Sequence, residues 1–137
     1  MLVTLLASVA VAATLQDAPL TADRVTYGQL VDCAATFRLA AAVADVDGQA
    51  DMVEPALLSA AAYAHLAYLY GGPLGIPGPD TDAAVEAELG DQISRYGNLL
   101  GGPSDRLARQ VMDTDQRVCR AVSERVLQET GPVSETS

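Results

Sequence analysis

Apolar residues recur along the chain at steps of three and four, and no useful stretch alternates apolar with polar positions. That period belongs to amphipathic helices, because a half-buried strand needs a step of two. Between Thr26 and Ala44 the stripe is Leu30, Ala34, Phe37, Ala41 and Ala44, with Cys33 on the same side. Turn chemistry in Asp45-Val46-Asp47-Gly48 ends this first helix. Asp51 and Glu54 stand at capping-box spacing, and Pro55 is tolerated in a first turn, so a second helix starts there. From Ala56 to Tyr70 it carries no charge, which predicts a central helix surrounded by the others.

Gly71-Gly72-Pro73 stops the second helix, and a third starts near Asp80 or Thr81. Asp82, Glu86 and Glu88 suit its positive N-terminal end, and its stripe is Val85, Leu89, Ile93, Tyr96 and Leu100. Gly101-Gly102-Pro103 closes it. The last helix presents Leu107, Val111, Val118, Val122 and Val126 inward, with Cys119 beside them. Its outer side carries Asp105, Arg109, Asp113 and Arg117 at i, i+4 spacing. The predicted fold is therefore all-α: a single, four-helix bundle-like domain over residues 15–128, with a disordered tail at 129–137.

The segment before the first stripe reads differently. Leu2 to Ala13 is an uncharged run of apolar and small residues, shorter than the roughly 20 needed to cross a bilayer. Ala10 with Ala12, or Val11 with Ala13, gives an A-x-A-like cleavage pattern. Residues 1–14 are thus expected to be a signal peptide, although no Lys or Arg precedes the apolar run. A periplasmic or secreted destination follows. It suits the two cysteines, Cys33 and Cys119, which belong to no C-x-x-C motif and are expected to pair in an oxidising compartment. The bridge would tie the first mature helix to the last.

Composition narrows the function. The 137 residues include 24 alanines and no lysine, with eighteen acids against eight arginines and a net charge of −10. Such a balance excludes phosphate-driven nucleic-acid binding and attraction to an anionic membrane. It favours a basic protein as partner. No stable membrane span is expected, and nothing in the pattern sets an oligomeric state.

Catalytic chemistry has few residues to draw on. His65 is the single histidine and lies in an apolar run, so no metal-ligand spacing exists around it. Asp45, Asp47, Asp51 and Glu54 miss the spacing of a calcium loop and suit turn and cap duty. No phosphate-binding loop and no G-x-S-x-G is present. Neither a cofactor nor a metal is predicted. Tyr63, His65 and Tyr68 could line a ligand pocket between helices. The expected function is a non-enzymatic binding module, inhibitor- or immunity-like or an acid-stress chaperone. A small-ligand or haem carrier is the alternative, and a carboxylate-dependent hydrolase comes last.

Overall fold

The computed structural model describes the backbone of residues 2–135 and the side chains of residues 23–129. The leader expected at 1–14 and the tail beyond residue 129 lie outside those side chains. Four helices are described: α1 (Leu2–Val46), α2 (Ala50–Gly71), α3 (Gly78–Tyr96) and α4 (Asp105–Glu135). No strand occurs among the described residues.

Cross-helix contacts fix the directions. Phe37 stacks on Tyr63, and Tyr27 lies against Gly71, so α1 and α2 are antiparallel. Tyr27 bonds Thr81 while Gln92 bonds Thr36, so α3 runs parallel to α1. Cys33 meets Cys119 and Asp47 meets Arg109, which makes α4 antiparallel to α1. The order is up, down, up, down.

The centre of the bundle is α1, not α2. All three other helices pack on α1; α2 and α3 also touch, whereas α4 approaches no helix but α1 closely. The expectation for α2 fails because absence of charge does not mean burial. Apolar side chains are common on protein surfaces, and neighbours decide which face is covered. The competing signal is in α1, which has a second stripe beside the first. Val31, Ala35 and Leu39 are buried together with Leu30, Ala34, Phe37 and Ala41, so α1 has neighbours on several sides. Alanine at many of these positions lets the neighbouring helix axes come close.

The inward face of α4 is also turned from the one expected. Leu107, Val111 and Val118 are exposed, while Ala108, Met112, Cys119, Val122 and Val126 are buried. Weighting the bulky aliphatics misplaces the stripe; the rotation that seats Cys119 against Cys33 brings Ala108 and Met112 inward instead. In α3, Val85 is buried as expected, but Gln92 takes the inner position and Ile93 is 49% exposed. The Gln92 amide donates to the carbonyl of Asp32 (3.4 Å), to Thr36 Oγ1 (3.2 Å) and to Glu88 Oε1 (3.3 Å), so its burial is satisfied.

Two glycines hold junctions together. Gly48 has φ +75°, and the N–H of Gln49 bonds back to the carbonyl of Ala44 at 2.8 Å, a left-handed helix stop. Gly71 is buried at the end of α2, where a Cβ would lie 3.2 Å from the Tyr27 ring. That close approach lets the Tyr27 hydroxyl reach Thr81 Oγ1 at 2.9 Å, with Thr81 wholly buried. The expected Cys33–Cys119 bridge is present and links the first and last helices, with Cα atoms 5.5 Å apart.

Candidate binding groove

Since α2 packs closely on α1 and α3 and reaches α4 through the Tyr70–Glu129 hydrogen bond, its uncharged run has a wide outward side. Leu57, Leu58 and Leu69 are 49%, 64% and 57% exposed, and Ala61, Ala62 and His65 share this side.

Beside it runs a groove between α2 and α4. The α2 wall carries Met52, Ala56, Ser59, Ala62 and Leu66 at helical spacing, and the α4 wall carries Met112, Gln116, Arg120, Ser123 and Leu127. The two helices do not pack closely on each other, so α1 forms the floor between them. Phe37 lies there, stacked on Tyr63 with ring centroids 5.3 Å apart and planes 12° apart. One cavity of about 500 Å³ lies above the Phe37–Tyr63 stack, bounded by Ala62, His65, Leu66 and Leu127. A second, of about 210 Å³, continues towards Ala44, Met52 and Met112. Both are bounded by Phe37, Ser59 and Arg120, where they join. No carboxylate lines the larger one.

Of the three pocket residues expected from the sequence, Tyr63 and His65 line this larger cavity. Tyr63 is buried in the floor and His65 is exposed at the rim. Tyr68 stands on the other side of α2 and donates to Asp82 of α3, a bond that raises its phenol above the ordinary range. Met112, one methionine that could face His65 across a bound haem, lines the other cavity. Among the described residues no three His, Cys, Asp or Glu side chains gather in a way that could hold a metal ion.

Four of the arginines pair with carboxylates. Arg109 donates to Asp47, just beyond α1 (2.6 and 3.2 Å), and to Asp105 (2.9 Å), a clamp between the C-terminal end of α1 and the start of α4. Its guanidinium holds the Asp47 carboxyl below the usual range; the N–H of Gly101, then Arg109, does the same for Asp105. Arg117 pairs with Asp113 at 3.0 Å, as the i, i+4 ladder predicts. Asp115, its neighbour, accepts from the Tyr96 hydroxyl at 3.1 Å. On α3, Glu86 pairs with Arg38 and Glu88 with Arg95. Across the bundle, partial desolvation and the nearby Glu88 raise the Asp32 carboxyl.

The sequence did not point to the groove. It arises from two helices that do not pack closely on each other, and neither the gap nor Arg120 has a local signature.

No protein-family model matches this chain, and no curated protein or solved structure is significantly similar to it. No helix among the described residues is long and apolar enough to cross a membrane.

Proposed function

We propose that the protein is an exported, non-enzymatic binding module that takes an apolar ligand into the α2–α4 groove. The observation that carries this reading is the outward, uncharged run of α2 beside an open cavity of about 500 Å³. Small-molecule sites typically have volumes of about 300–1,000 Å³, are mostly apolar and contain a few polar groups. Ser59, Ser123, His65 and Arg120 supply such groups here. A basic protein partner draws less support, because Asp82, Glu86 and Glu88 of acidic α3 are already engaged by Tyr68, Arg38 and Arg95. Export is supported by the Cys33–Cys119 bridge together with the apolar run at Leu2–Ala13.

N-phenyl-1-naphthylamine, which brightens in apolar surroundings, tests the groove. The oxidised protein should give a saturable fluorescence rise, and Ala62→Glu should abolish it, because Ala62 is exposed and tolerates substitution without loss of the fold. A folded protein that leaves the dye dark, or an Ala62→Glu variant that binds it equally, would refute the groove. Mass spectrometry of native material tests export. It should show a chain starting near residues 13–15 with no free thiol; an intact leader and two reduced cysteines would overturn that part.

A further inference from the structure

We infer that the ligand of the groove is a single-chain carboxylate, a fatty acid, with its head group on the Arg120 guanidinium and its chain over the Phe37–Tyr63 stack. The inference rests on the groove reading above and names its ligand class.

Arg120 carries the assignment. It lies where the two cavities join and is one of the two arginines lining the groove. The other, Arg109, is held by Asp47 and Asp105. The guanidinium of Arg120 donates to no group among the described residues and forms no ion pair, not even with Glu124 one turn further along α4. Arg24 and Arg106 also form no ion pair among the described residues, but neither lines the groove; Arg120 is the unpaired arginine beside the apolar cavity. Arg38, Arg95, Arg109 and Arg117 each hold a carboxylate. A planar guanidinium offers a forked set of donors that fits a carboxylate.

The surroundings select the rest of the ligand. The larger cavity has no carboxylate in its lining to repel an anion, and its walls are Ala62, Tyr63, Leu66 and Leu127. A linear chain suits a channel of two cavities in line better than a compact ring system does. A second copy of the chain is a poorer occupant. Each copy carries a net charge of −10, and mutual repulsion opposes their approach. The occupant that matches both the apolar walls and the one unpaired arginine in the groove lining is an amphiphile with one negative end.

Displacement of N-phenyl-1-naphthylamine at pH 7.5 tests this with decanoate, 1-decanol and decyltrimethylammonium, each below its aggregation concentration. Decanoate should displace the dye at concentrations about threefold below those of decanol, the gain expected for an ion pair at an exposed arginine. The cation should be weaker than the alcohol. Arg120→Gln should bring decanoate to the level of decanol and leave decanol unchanged, whereas Arg120→Lys should keep part of the gap. Circular dichroism should match the native spectrum in both variants, since the side chain is exposed. Equal displacement by all three compounds, or a gap that survives Arg120→Gln, would overturn the carboxylate assignment while leaving the groove intact. Failure of the dye itself to bind would remove the groove reading and the ligand together. A dye response that weakens as a dimer forms in sedimentation velocity would place a second copy in the groove and likewise overturn the assignment.

Discussion

Removal of the Cys33–Cys119 bridge is the most telling perturbation, because α4 approaches no other helix as closely as α1. The bond joins residues 86 positions apart. Closing a loop of that length withdraws about 15 cal/mol/K from the unfolded chain, or about 4.5 kcal/mol at 25 °C in the chain-entropy treatment. For a domain of this size each kcal/mol moves the melting temperature by about 4 °C, so the Cys33→Ala/Cys119→Ala variant should melt about 15–20 °C lower. Both cysteines are buried and fill space in the core, so the lost packing deepens the effect. Thermal melts followed by circular dichroism, with the native protein oxidised and then reduced as a second comparison, give the shift directly. Amide exchange should locate it, with α4 losing protection before α1 and α2. A drop smaller than about 5 °C, or α4 amides as protected as those of α1 after reduction, would refute the picture of a helix held mainly by one covalent bond and one interface.

Two further substitutions probe the frame. In the Arg109 clamp, the carboxyls of Asp47 and Asp105 are lowered on folding, so the stability they contribute is present above the unfolded carboxylate value of about 4 and is lost as the pH falls through their folded values. Urea midpoints of native protein and Arg109→Ala should therefore differ at pH 7 and converge towards pH 2; a constant gap across that range would exclude the clamp as its source. Thr81→Val leaves the Tyr27 hydroxyl without its partner at the α1–α3 contact and should cost about 1–3 kcal/mol in urea denaturation. An unchanged midpoint would mean that this hydroxyl is satisfied elsewhere.

The first two helices could be read in the sequence because strong punctuation ends them, Asp-Gly after α1 and Gly-Gly-Pro at the end of α2, whereas α3 stops at Tyr96, ahead of the Gly101-Gly102-Pro103 expected to close it. The bridge followed from two cysteines on inward stripes of the first and last helices. What could not be read was rotation and centrality. Val118 and Cys119 are adjacent, and the aliphatic side chain looks the better core residue, yet Val118 is 57% exposed and Cys119 is 4% exposed. A disulfide fixes the angle of α4 more strongly than one valine can. The charge-free surface of α2 misled for a related reason. Periodicity reports which side of a helix is apolar, but an element apolar on all sides gives no direction. The groove lay further out of reach, since it depends on how far apart two helices come to rest on a third.

The bridge also turns the middle of the polypeptide into a ring. All of α2 and α3, with all three connecting segments, lies between the linked sulfurs. A protease that cuts once at 72–77 or 97–104 produces two pieces that stay covalently joined. Dismantling the molecule needs two chemically unrelated events, a peptide hydrolysis and a reduction, and where thiols are scarce the second seldom comes.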